Sequence, residues 1–202
     1  MSAIPQARPD QRRQSHGLEQ FFSSLDASLG IEVLDLGEFT QANVSYITSL
    51  GHRPTFDGLQ HSLDAIFGDG DPNSSQMDAA KAQEFLDHVL RFPPDSFDAI
   101  LVWDTLEHLS RPLLNVILER LHEILRPGGG LLAYFHAESR DEMVQTYSFR
   151  IVDDKTLLLY PKGPRKPVQS FNNRSIERLF ERFGSVKFFL TRDNIREVIV
   201  RK

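Results

Sequence analysis

The sequence predicts an α/β domain built on an open, mostly parallel sheet with helices on both faces. Ala99-Ile100-Leu101-Val102-Trp103 and Leu131-Leu132-Ala133-Tyr134-Phe135 are continuous apolar runs, the pattern of strands buried on both sides in a parallel sheet. Between them Leu114, Ile117, Leu118, Leu121, Ile124 and Leu125 recur at helical spacing. Ser110 stands at the cap, Pro112 lies in the first turn, and Pro127-Gly128-Gly129-Gly130 stops the helix. That is a strand-helix-strand crossover of the length parallel neighbours require. Upstream, Ile31 to Leu36, then Gly37, then a helix over 41–50 repeats the strand-loop-helix unit.

The remaining elements follow in order. Residues 1–16 carry Pro5, Pro9 and Arg12-Arg13 with almost no apolar side chains, so a mobile, mildly basic tail is expected. Leu18, Phe21, Phe22, Leu25 and Leu29 have helical spacing and predict a lead-in helix over 17–29, ending at Gly30. His52 to Asp57 reads as a short strand, with Pro54 against a central position. Leu59 to Phe67 reads as a short helix, and 68–75 as an acidic, turn-rich loop. Over 77–92 the pattern reads as a helix whose end runs into a short strand at Glu84-Phe85-Leu86-Asp87.

Beyond the crossover, 147–152 and 156–160 flank Asp153-Asp154-Lys155 as a hairpin. A proline-stiffened basic loop follows over 160–167. Asn172-Asn173 supply capping oxygens for a helix whose buried face is Ile176, Leu179, Phe180 and Phe183. Val186 to Leu190 and Glu197 to Val200 finish as an antiparallel pair at one edge.

Size and composition narrow the class. A chain of 202 residues suits one domain, here 17–202 behind its tail, burying roughly 70% of its unfolded surface. Its net charge of -5 argues against a duplex-wide phosphate footprint, so nucleic acid is not an expected partner. The absence of cysteine removes disulfides, thiolate metal sites and thiol nucleophiles. No pair of its seven histidines has HExxH spacing, and no metal is expected. With no apolar run of membrane-spanning length and no signal-peptide core, a cytoplasmic protein is expected.

The order Asp35-Leu36-Gly37, then FDAILVWDTLEHL, a helix, and ILRPGGGLL resembles the class I S-adenosylmethionine-dependent methyltransferases of the small-molecule, type 11-like kind. Phe97-Asp98, Leu106-Glu107-His108-Leu109 and Ile124 to Gly129 carry the specific part, over roughly 31–136. FNNRSIERLFERFGSVKFF is similar to that family's late helix and penultimate strand. The resemblance implies a Rossmann-like, seven-stranded, mostly parallel sheet with an antiparallel C-terminal edge, and S-adenosylmethionine across the carboxyl ends of the strands.

It also implies roles for particular residues. Asp35 would orient the loop and the methionine amino group, and Gly37 would let backbone approach the cofactor. Asp57 would bond the ribose hydroxyls, Asp87 would face the adenine amino group, and Trp103 and Asp104 would line cofactor and substrate. For Asp35 and Asp57 the plainer reading is local turn chemistry. His108 is the candidate general base; the alternative is that Glu107-His108 shapes the turn into the next helix.

The loop departs from the family pattern. Only Gly37 of its glycines is present in Gly37-Glu38-Phe39-Thr40-Gln41. Phe39 stands at a cofactor-contacting position, where its ring would either exclude the cofactor's amino-acid part or turn into the core and reshape the pocket. Glu38 would repel the cofactor's carboxylate. Two functions therefore stand side by side. One is a methyltransferase acting on a small-molecule or protein acceptor. The other is a binding or assembly module of the same fold without cofactor, meeting a partner through its N-terminal tail or the 161–167 loop.

Overall fold

The computed structural model describes residues 11–25, 30–68, 72–136, 143–189, 191 and 195–202. The central sheet has six strands: β2 (Glu32–Asp35), β3 (Arg53–Phe56), β4 (Phe97–Trp103), β5 (Leu125–His136), β8 (Ser185–Phe189) and β9 (Ile195–Arg201). They run in the spatial order β3-β2-β4-β5-β9-β8. The pairs β3-β2, β2-β4 and β4-β5 are parallel; β9 runs antiparallel to both neighbours. The chain leaves β2 for the β3 edge and returns beside β2 as β4, placing a topological switch point between β2 and β4. In open α/β sheets ligands bind outside the carboxyl ends at that point.

Helices cover both faces. On one side α3 (Leu59–Phe67), α5 (Ala79–His88), α6 (Arg111–Ile124) and α7 (Asn173–Leu179) supply residues to a core that includes Leu63, Phe85, Leu114, Ile117, Leu121 and Ile176. Each such Leu or Ile contributes about 1.5–3 kcal/mol by leaving water. The other side carries α1 (His16–Ser23), α2 (Gln41–Ser49) and a separate three-stranded sheet of β1 (Gln11–Gln14), β6 (Val144–Ile151) and β7 (Thr156–Arg165), ordered β1-β7-β6. A one-turn helix, α4 (Pro72–Ser75), completes the set. No helix among the described residues is long and apolar enough to cross a membrane.

Five expectations are corrected. The strand expected at Glu84 to Asp87 is the last part of α5, so the sheet has six strands among the described residues and not seven. Good helix formers over 79–84 and an Asp78 cap that accepts from Ala80 N (2.9 Å) and Lys81 N (3.2 Å) hold the segment helical. Phe85 then packs on Phe67, ring centroids 5.5 Å apart.

Within the expected tail, 11–14 is strand β1, paired with β7; positions 1–10 lie outside the described residues. Arg13 is pulled inward by Glu197, with side-chain exposures of 2% and 0%. The helix over 17–29 begins at His16 and ends at Ser23, with 26–29 outside the described residues. The basic loop over 160–167 is strand as far as Arg165. There β1 no longer reaches, and only β6 pairs with β7, so Pro161 and Pro164 lie in a stretch with one open edge, where proline is tolerated. Pro54 is tolerated for the same reason, because β3 pairs with β2 alone. The C-terminal pair is antiparallel as expected, but β9 lies inside the sheet and β8 is the edge.

Candidate functional site

At the carboxyl end of β2, Asp35 is fully buried and fully engaged. Its Oδ1 accepts from Gly37 N (2.9 Å) and from Trp103 Nε1 (2.6 Å), and its Oδ2 accepts from Asn43 Nδ2 (2.8 Å). Burial pushes the carboxyl up, and the three donors pull it back. Asp57, just past β3, is half-buried and also raised by burial. Its backbone N bonds Asp35 O at 3.0 Å, and its Oδ2 accepts from Leu90 N at 2.7 Å. The two acids therefore stand at adjacent strand tips on either side of the Gly37 loop.

Trp103 ends β4 with φ +57°, a conformation bulky residues rarely adopt, beside a register shift in the β4-β5 pairing. That turn carries its indole back over the loop. A Cβ placed on Gly37 would lie 2.8 Å from Trp103 Nε1 and 2.9 Å from Cδ1, so glycine is required here by the chain's own tryptophan. Phe149 of β6 stacks on the indole at 5.0 Å and 5°, and Tyr134 meets both rings edge-on.

The small sheet is fastened over this end by polar contacts. Asn43 Nδ2 donates to Phe149 O (3.2 Å), and Ile151 N donates to Asn43 Oδ1 (2.8 Å). Lys162 pairs with Glu38 at 2.9 Å, and Arg165 pairs with Asp64. The expected charge of Glu38 toward a ligand is thus spent on Lys162. The basic loop is likewise tied down and not free in solvent.

Phe39 takes neither expected direction. It is 69% exposed and rests against Phe56, ring centroids 5.1 Å apart. The residue that fills the space beside Gly37 is Trp103. Asp87 lies on an exposed turn of α5, its Oδ1 accepting from Gln83 Nε2 at 2.9 Å. It therefore does not stand at a strand tip beside Asp35 and Asp57.

The Leu106–His108 turn is a structural hub. Glu107 is 1% exposed; its carboxylate accepts from His136 N (3.0 and 3.1 Å) and contacts His136 Nδ1 (2.7 Å), while its carbonyl accepts from Val168 N and Gln169 N. Burial lowers His136, but the bond and charge of Glu107, the charge of Asp104 and the Gln145 backbone together leave it raised. His108 is 1% exposed with neither ring nitrogen hydrogen-bonded, and burial holds it down to about 3. It is a neutral, buried ring within the 106–108 turn. Asp104 is 7% exposed and pushed up to about 6, chiefly by burial and further by Glu107, against His136 and Lys162; its Oδ2 has no partner.

Sequence reasoning missed Asn43, which joins Asp35 to the hairpin. The signal was an amide four residues before Ile47 and three after the Thr40 cap, on the face α2 buries. Among the described residues no group of three or more His, Asp or Glu side chains could hold a metal ion.

A mostly parallel, open α/β sheet with a switch point at the carboxyl ends of β2 and β4 defines a Rossmann-like class of α/β protein. A family model described as "Methyltransferase domain" matches residues 10–186, and the chain belongs to that family, of the class I S-adenosylmethionine-dependent kind. Similar solved structures include the Burkholderia thailandensis 1,6-didemethyltoxoflavin-N1-methyltransferase with 1,6-didemethyltoxoflavin and S-adenosylhomocysteine bound. It is 19% identical, over 93% of this chain and 79% of that one, with a TM-score of 0.48. Another is a Methanosarcina mazei S-adenosylmethionine-dependent methyltransferase, 13% identical over 90% and 95%, TM-score 0.48. Human N-acetylserotonin methyltransferase in complex with S-adenosylmethionine is 14% identical over 93% and 52%, TM-score 0.48. A search of curated proteins finds no match.

Asp35, Gly37 and Asp57 occupy positions suited to such a cofactor. The volume beside Gly37 does not, as long as the Trp103 ring lies there.

Proposed function

We propose that this chain is an S-adenosylmethionine-dependent methyltransferase for a small-molecule or protein acceptor, in which the Trp103 ring must leave Gly37 before the cofactor is seated. The observation that carries the reading is the pair of half- to fully buried carboxylates, Asp35 and Asp57, at neighbouring parallel strand tips around Gly37. When bound, the cofactor supplies a methyl group already activated on a sulfonium. Asp57, with its Oδ1 uncommitted, is suited to ribose hydroxyls. Asp35 holds the loop through Gly37 N, and Trp103, Tyr134 and Phe149 keep water from the strand tips.

A second reading is a binding or assembly module of the same fold, and the indole packed against Gly37 favours it, because a cofactor cannot take the space beside that glycine without displacing the ring. Calorimetric titration with S-adenosylhomocysteine separates the two. Saturable binding is expected in the wild type or, where closure masks it, in Trp103→Ala. Absence of heat from both at millimolar ligand removes the enzyme and leaves the module.

A further inference from the structure

On the sheet face that carries α1 and α2 lies a cleft of about 680 Å³ that shares no lining residue with the crevice around Gly37. That volume lies within the range of small-molecule sites. Its walls combine aromatic rings with carboxylates. Phe22 meets Tyr46 edge-on at 5.5 Å and lies nearly parallel to His52 at 6.3 Å. Phe189 contributes a third ring, which already carries Lys187 Nζ 5.0 Å from its centroid. Glu19 and Asp154 bring negative charge, Glu19 partly shared with His16 at 3.6 Å.

One group there lacks a partner. Asp154 makes no hydrogen bond or ion pair among the described residues, whereas its neighbour Asp153 accepts from Lys155 N at 3.1 Å. His52 is 5% exposed and lines the cleft. Burial lowers His52, against the Gly51 backbone and Asp98, so the ring is neutral and adds an aromatic wall without positive charge. The Tyr46 hydroxyl is pushed up to about 12 by burial and by the charges of Asp154 and Asp153.

We propose that this cleft binds an organic ammonium ion, a protonated amine on an aromatic or aliphatic body. The aromatic faces attract a cation electrostatically. The unpaired Asp154 supplies countercharge and accepts an ammonium N–H. An anion would meet two carboxylates, and a neutral apolar molecule would leave Asp154 without a counter-ion. The proposal does not rest on methyl transfer.

Titration calorimetry on the full chain tests it with four probes. Binding should be saturable for 2-phenylethylammonium, at least about 10-fold weaker for 2-phenylethanol, and absent for phenylacetate. Benzyltrimethylammonium, a cation without N–H, should fall between the first two. Asp154→Asn, on an exposed turn where folding is not at stake, should weaken 2-phenylethylammonium by about 3- to 5-fold, the range of an exposed ion pair. The proposal is overturned if amine and alcohol bind equally, if Asp154→Asn leaves the affinity unchanged, or if no probe saturates at millimolar concentration.

Discussion

Replacing Trp103 with alanine should tighten S-adenosylhomocysteine binding, although it removes a buried side chain. To vacate the space beside Gly37 the indole gives up its bond to the buried Asp35 carboxylate, worth about 1.5–3 kcal/mol. It also gives up its stack on Phe149, worth about 0.5–1.5 kcal/mol. Opening thus costs roughly 2–4.5 kcal/mol, which lowers apparent affinity about 30- to 2000-fold. Trp103→Ala abolishes that cost while lowering the unfolding free energy by about 3–5 kcal/mol, so affinity and stability move in opposite directions. Trp103→Phe keeps a ring and drops only the indole N–H, and should recover about 10- to 150-fold. The assay is calorimetry paired with tryptophan fluorescence, which reports on this site alone because the chain has one tryptophan. Unchanged affinity in both variants refutes the reasoning. So does tight binding to the wild type with no change in tryptophan emission.

Breaking the buried Arg13–Glu197 pair from either side strands a charge, so Arg13→Ala or Glu197→Ala should cost about 3–5 kcal/mol and roughly 6–20 °C in Tm. A melt within a few degrees of wild type would show that β1 is not anchored this way. Asp104 holds its proton more tightly folded, at about 6, than unfolded, at 3.8. The stability it contributes is therefore complete below 3.8 and lost as pH rises through about 6. Asp104→Asn should make the chain more stable near pH 8 by on the order of 1–3 kcal/mol and flatten its pH dependence, as read by urea midpoints; an unchanged slope would place the charge in water. Asn43→Ala should cost about 2–4 kcal/mol by leaving Asp35 Oδ2 and Ile151 N unpaired, and should speed proteolysis within 144–165. Equal cleavage rates would show that the small sheet is held elsewhere.

The strand-helix-strand unit around α6 was legible because apolar periodicity acts locally, although the Ser110 hydroxyl makes no capping bond and the helix ends at Ile124, before Pro127-Gly128-Gly129-Gly130, which lie in β5. The segment over 77–92 was misread at Glu84-Phe85-Leu86-Asp87, which is helical. Its apolar residues suit either state, and the outcome depended on whether Phe85 found a partner on α3, which no local pattern contains. Strand β1 was missed for a related reason: Arg13 is an ordinary charged residue until Glu197, far along the chain, arrives beside it. Around the Gly37 loop, Asp35 and Asp57 do lie at strand ends, where the resemblance put them, whereas the ring beside Gly37 is that of Trp103 and not of Phe39.

What the sequence determined by itself is the parallel α/β sheet, its order of units and its family. Those follow from short-range periodicity and motif spacing, which depend on no distant contact. Only the tertiary structure decided what occupies the space over Gly37. That outcome joins a positive φ at Trp103, a ring from β6 and an amide from α2, drawn together by burial of aromatic surface and by the need of a buried carboxylate for donors.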